Sequence, residues 1–137
     1  MKTWRSLALI GPAVGWMALI YVVSAQPTLP TVGEAWLDRL VKALSHSAEY
    51  AILAILVARP ALATRSRLSR NQVVPLLGLC FLYACSDEVH QYFVPGRVAD
   101  VLDVAADTLG ASLALLALTS DRVAGILRRL DPALGPR

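Results

Sequence analysis

Residues 7–24 read LALIGPAVGWMALIYVVS, eighteen positions without a charged side chain. An α-helix rises ~1.5 Å per residue, so this run reaches ~27 Å, close to the hydrocarbon thickness of a bilayer. It predicts a membrane-spanning helix that tolerates Gly11, Pro12 and Gly15, with Pro12 bending or loosening it. A second reading is a cleaved signal peptide, because Lys2 and Arg5 precede the run and Val23-Ser24-Ala25 ends it. That reading leaves three spans in place of four.

Working outward, a polar, Pro-containing connector over 26–42 leads to a second apolar segment, about 44–60, whose first turns carry His46, Glu49 and Tyr50. A third segment, 73–94, continues through Asp87, Glu88, His90 and Gln91 until Pro95-Gly96 stops it. A fourth, 99–119, is uncharged after Asp107, and residues 120–137 read as a basic flexible tail ending in Pro136 and Arg137. The expected fold is therefore all-α, a single-domain integral membrane bundle of four transmembrane helices spanning residues 1–137.

Composition supports this class. The chain is 56% hydrophobic with only 17% charged residues and a mean hydropathy of +0.56, which excludes disorder, collagen-like and disulfide-scaffold classes. The net charge of +3 comes from basic residues spread between apolar runs, not from a stripe, so no nucleic-acid partner is expected. Cys80 and Cys85 fall about 140° apart around one helix and are not read as a disulfide.

Positively charged loops tend to stay cytoplasmic. With the N-terminus inside, ten of the thirteen Lys and Arg residues lie on the inner side, and only Arg39, Lys42 and Arg97 lie outside. Eight of the ten acids fall on the outer half. The expected topology places both termini in the cytoplasm of a bacterial inner membrane and the polar turns on the extracytoplasmic side.

Ionisable groups inside membrane segments are costly and usually face a protein interior or a water-filled cavity. At ~100° per residue, Asp100, Asp103, Asp107, Gly110 and Ala114 share an arc of about 80°, opposite Leu102, Leu109 and Leu113. His46, Glu49, Tyr50 and Leu53 share one face of segment two. Tyr83, Asp87, His90 and Gln91 share one face of segment three, with Glu88 to the side. The three faces could line one cleft. Blander readings stand beside this one: Asp100 and Glu88 as solvated helix ends, and His46 and Tyr50 as hydrogen-bonding glue between helices. Tyr21, Tyr92, Trp16 and Trp36 read as interfacial or packing residues, and Gly78 and Gly110 as points of close helix approach.

The stretch HSAEY at 46–50 with Leu53, the run DEVHQYFVPGR at 87–97, Asp103 and the later Gly110 resemble the VanZ-like family of small bacterial membrane proteins. The resemblance covers roughly residues 40–118. Asp107 departs from the family pattern, which usually carries Asn there. The resemblance implies an integral membrane protein of the bacterial cell envelope. It also brings an association with low-level resistance to teicoplanin, without an established reaction.

In the Phe-Val-Pro-Gly-Arg turn, Arg97 is placed either to clamp a carboxylate or phosphate or to neutralise Asp87 or Asp103. An enzymatic reading has Arg97 hold an anion, His46 or His90 move a proton, and Glu49, Asp87, Glu88 or Asp103 set the acid and base, with Tyr50, Gln91 and Asp107 contacting ligand. The ligand class is a membrane lipid or a lipid-linked envelope precursor. A binding module using the same cleft without turnover is the second reading, and a small proton-coupled transporter the last. No P-loop or dinucleotide fingerprint is present, so no cofactor is expected. Metal binding by His46, Glu49, Asp87, His90, Asp103 and Asp107 rests on donor types alone and is not adopted. The oligomeric state is left open.

Overall fold

Long uncharged runs with few breakers fold as helices, and the computed structural model of the chain, which describes residues 2–27 and 33–135, is all-helical. Five α-helices follow in order: α1 Lys2–Ser24, α2 Ala35–Leu62, α3 Arg70–Tyr92, α4 Val101–Ala117 and α5 Asp121–Leu130, closed by a 3-10 turn over Pro132–Leu134. The helices α1, α2 and α3 are each long and apolar enough to cross a membrane. A fourth span exists if α4 and α5, which meet at 95°, are taken together as one bent unit. Residues 28–32, Pro136 and Arg137 lie outside the described residues, the last two with the expectation of a flexible end.

Every helix has at least one end shifted from the sequence reading, α1 for example starting at Lys2 and α4 ending at Ala117, and two differences are larger. The helix α2 starts at Ala35, two turns before the predicted segment, because nothing between Gly33 and Pro60 breaks a helix and Asp38 suits the positive end of the helix dipole. Residues 121–134, expected as part of a flexible tail, form α5 and a docked turn: Ala124 and Leu134 are fully buried. The Arg59 side chain in α2 donates to Asp131 through Nε at 2.6 Å and Nη2 at 3.0 Å. That paired guanidinium holds the Asp131 carboxyl below its ordinary range.

The helix ends are made by local chemistry. Gln72 reaches back to accept the Ser69 N–H at 3.0 Å and starts α3. The Asp100 carboxylate accepts from Leu102 N at 2.9 Å and starts α4. Between α3 and α4 the chain turns at Gly96, whose φ of +85° puts it in the left-handed region. A Cβ there would also lie 2.9 Å from the Pro27 carbonyl oxygen, so the turn rests against the end of the α1 segment.

Packing centres on α2. Ala54 and Ala58 in α2, Ala84 in α3 and Ala111 in α4 are fully buried, and such small residues let membrane helices approach closely. The closest approach is at Gly110 in α4, where a Cβ would sit 1.9 Å from the Ser47 carbonyl oxygen. Ser47 Oγ also donates to the Ala106 carbonyl across this seam at 2.9 Å. Gly78, expected to do the same, has no atom within 4 Å of a Cβ and makes no close approach. Despite Pro12, α1 is one continuous helix, packing through Leu9, Ala13 and Ile20. Leu102, Leu109 and Leu113 face outward, as expected for an apolar surface in lipid.

Candidate functional site

The C-terminal ends of α1 and α3 and the N-terminal ends of α2 and α4 share one end of the bundle, and the polar residues gather there. On α2, Lys42, His46 and Tyr50 recur every four residues and so line one face; on α4, Asp103, Asp107 and Gly110, spaced by four and then three, line one face as well. The absence of a side chain at Gly110 brings these faces into contact.

His46 Nδ1 lies 3.0 Å from Asp107 Oδ1, and its Nε2 lies 3.7 Å from Asp103 Oδ2. An ionised carboxylate only accepts, so His46 carries a proton on Nδ1 when Asp107 is charged. Asp103 Oδ2 is in turn paired with Lys42 Nζ at 2.6 Å. His46, Asp103 and Asp107 are all buried, Asp107 to 1% exposure, whereas the Lys42 side chain remains 36% exposed. A row of neighbouring ionisable side chains, Lys42, Asp103, His46 and Asp107, therefore runs from the surface into the bundle.

A second branch comes from α3. Asp87 Oδ2 accepts from Ser24 Oγ of α1 and from Gln91 Nε2, each at 2.9 Å. The Gln91 Oε1 accepts from Arg97 Nη2. Arg97 thus reaches Asp87 through a neutral amide, and of the two alternatives read from the sequence, the direct ion pair with Asp87 or Asp103 does not form among the described residues. The counter-ion of Asp103 is Lys42, which the sequence reading placed in a connector. Its signal was the four-residue spacing from His46. Ser24 was missed as well, having been read as the end of an apolar run.

Tyr50 and Glu49 sit between the branches. The Tyr50 ring is fully buried and tilted against Tyr83, with centroids 6.3 Å apart. Glu49 is half-buried within electrostatic range of His46, Asp107, Asp87 and Arg97, and its carbonyl accepts from Trp16 Nε1 at 3.0 Å. Tyr83 donates to the Met17 carbonyl at 2.6 Å, which fixes α1 to α3.

Two predicted site residues stand apart from these branches. Glu88 Oε2 accepts the Asp100 N–H at 2.7 Å and so ties α3 to the start of α4. The His90 ring stacks on Tyr21 of α1, centroids 4.1 Å apart. Among the described residues, no group of three or more His, Cys, Asp or Glu is arranged to hold a metal ion. Tyr50 Oη, Asp87 Oδ1 and Asp107 Oδ2 are buried without a hydrogen-bond partner among the described residues. Such atoms are rare and costly in native interiors, where a buried polar atom is normally met by a protein group, water or an ion. Beside the same end, Val89, Tyr92, Val101 and Val104 help line an apolar groove of about 250 Å³ between α3 and α4.

No curated protein and no solved structure matches this chain. The model of one family, VanZ/LLP1, matches residues 9–120, a stretch that holds most of α1, all of α2 to α4 and every polar residue of the two branches. An apolar helical bundle of this composition, matched over most of its length, is a membrane protein, and the chain belongs to the VanZ/LLP1 family.

Proposed function

We propose that the chain is a cell-envelope protein of the bacterial cytoplasmic membrane, with both termini in the cytoplasm and its polar end on the extracytoplasmic side. That end binds or modifies an anionic envelope lipid or a lipid-linked precursor. The distribution of basic residues supports the orientation. A contribution to glycopeptide resistance of the teicoplanin type follows if the ligand is an envelope precursor.

The observation that carries this reading is the state of Arg97. Its guanidinium is half-buried, held by the Gln91 amide, and pairs with no carboxylate among the described residues. A guanidinium anchored by a neutral partner keeps its charge and several N–H donors for a phosphate or carboxylate. The apolar groove on the same flank suits an acyl chain, and the His46 and Asp107 pair supplies a group able to take or give a proton.

Native mass spectrometry of gently extracted wild type and Arg97→Ala tests this. Wild type carrying a phosphate-bearing lipid or precursor that the variant loses supports the reading and provides a compound to assay for turnover. Equal retention by both, or no such species in wild type, removes Arg97 as the anion contact. A second reading, an internal ion-pair network that orders the bundle, is favoured by the close Lys42 and Asp103 contact at 2.6 Å. It predicts that Arg97→Ala changes nothing while Asp103→Asn loosens the fold.

A further inference from the structure

The opposite end of the bundle carries a different chemistry. The loop between α2 and α3 and the start of α3 line an open cavity of about 640 Å³ through Arg65, Ser66, Arg67, Ser69 and Arg70, with Thr119 of the turn after α4 at its edge. The loop is fixed in place: Leu68 N donates to Leu118 O at 3.0 Å, Arg67 Nη1 to Thr119 O at 3.3 Å, and Arg128 Nη1 of α5 to Arg65 O at 2.8 Å. Arg67 faces Asp121 at 3.6 Å, but both are well exposed. The guanidinium groups of Arg65 and Arg70 have no acidic partner among the described residues, and the other nearby acid, Asp131, is taken by Arg59.

The helix α5 adds a second, independent feature. It leaves α4 at 95°, so it runs across the direction of the spanning helices. Ala124 is buried against the bundle, whereas Val123, Ile126 and Leu130 are exposed on one side, and Arg122 and Arg129 project beside them. On a ~100° wheel the exposed apolar trio spans about 60° and the two arginines fall within the next 60°. A short helix lying across a bundle, apolar on one side and basic on the next, has the pattern of an element resting at the membrane interface.

We propose that this end is a headgroup site for an anionic phospholipid: the Arg65, Arg67 and Arg70 cavity takes the lipid phosphate, while Val123, Ile126 and Leu130 of α5 rest on the acyl region beside it. Charge complementarity and continuity with the apolar belt select a lipid as the occupant. The site lies at the other end of the molecule from Arg97 and is independent of the reading given to that residue.

The test uses the full-length chain in a neutral detergent, titrated with dioleoyl phosphatidylglycerol and with dioleoyl phosphatidylcholine, with lipid adducts counted by native mass spectrometry. Each basic side chain near an anionic lipid surface is worth about fivefold in binding, so the double variant Arg65→Gln/Arg70→Gln is expected to lose on the order of 30-fold in phosphatidylglycerol binding. Its phosphatidylcholine binding stays unchanged. Arg39→Gln, at the opposite end, serves as the control and keeps the preference. Because the Arg65 and Arg70 side chains hold no partner among the described residues, helix content by circular dichroism is expected to be unchanged in the double variant.

Equal binding of the two lipids by wild type, or an undiminished preference in the double variant, overturns the proposal. A competition arm with glycerol phosphate separates the sources of phosphate. Failure of millimolar glycerol phosphate to displace the lipid supports a lipid site, and displacement at concentrations comparable with the lipid's own overturns it in favour of a soluble phosphate ligand.

Discussion

Arg59 of α2 and Asp131, 72 residues later, form a paired-donor ion pair in which Arg59 Nε and Nη2 each bond one carboxylate oxygen. Arg59 is 7% exposed and also donates to the Leu9 carbonyl at 3.4 Å, so one side chain joins α1, α2 and the chain after α5. The carboxyl of Asp131 is held below its ordinary value of 3.8 by this pairing. A depressed folded-state value contributes stability above the unfolded value and loses it as pH falls through the folded one. Docking of residues 121–135 is therefore expected to be full at pH 7 and to weaken below about pH 4. Hydrogen exchange of α5 amides at pH 7 and at pH 3, corrected for intrinsic rates, checks it. Asp131→Asn should show the loosened state at both.

Removing the carboxylate altogether is harsher. Asp131→Ala leaves the buried Arg59 charge without its partner, a change that costs roughly 3–5 kcal/mol in buried pairs. The expected result is a lowered thermal midpoint in detergent and proteolytic cleavage after Arg128 or Arg129, with both absent in wild type under the same conditions.

Gly110→Ala puts a methyl group where the Ser47 carbonyl oxygen already stands, 1.9 Å away. Backbone cannot swing aside as a flexible side chain does, so α2 and α4 must separate. A loss of 3 kcal/mol or more, above the usual ~1–3 kcal/mol for overpacking, is expected. Gly78→Ala meets open space and is expected to be neutral or slightly stabilising, by up to about 1 kcal/mol. Thermal unfolding of the two variants side by side decides this, and equal melting points would contradict it.

Asp107→Asn keeps an oxygen that can accept the His46 Nδ1–H, so the fold is expected to survive with a change of about 1 kcal/mol or less. Asp107→Leu leaves His46 Nδ1 buried without an acceptor and is expected to cost about 1–3 kcal/mol. If chemistry at this end uses the acid, the Asn variant is the informative one: folded, yet unable to take up a proton. Melting temperature and ligand turnover measured on the same samples separate the two effects.

Gln91→Leu tests how Arg97 is positioned. The guanidinium stays in the turn but loses the amide that aims it, and Asp87 loses one of its two donors. Retention of a phosphate-bearing lipid is expected to fall about tenfold, less than in Arg97→Ala, with a normal helix signal. Unchanged retention would show that Gln91 serves only Asp87.

The parts of this molecule legible from sequence are those that a single helix reveals. The apolar runs located the helices, and the wheel of α4 correctly placed Asp103, Asp107 and Gly110 inward with Leu102, Leu109 and Leu113 outward. What stayed hidden depends on two helices at once. Lys42 looked like a solvated connector residue because the turns around it carry Asp38 and Arg39, yet no breaker separates it from His46. His90 shares a face with Asp87 on paper, but the stacking partner that draws it away, Tyr21, lies on α1. Residues 121–134 read as a tail because Asp121, Arg122, Arg128 and Arg129 bracket an apolar run of only five residues, too short to span a membrane. The anchor at Asp131 becomes visible only when Arg59 is brought across.

The missing side chain at Gly110 has a mechanical consequence. With backbone resting on backbone at Ser47, α2 and α4 form one stiff beam, and sliding or parting them would shear a contact with no side chain to yield. By contrast, α1 is fastened to its neighbours by side-chain bonds from Trp16, Ser24, Arg59 and Tyr83 together with the packing of Leu9, Ala13 and Ile20. The two seams therefore differ in kind: backbone against backbone between α2 and α4, side chains reaching across between α1 and its neighbours.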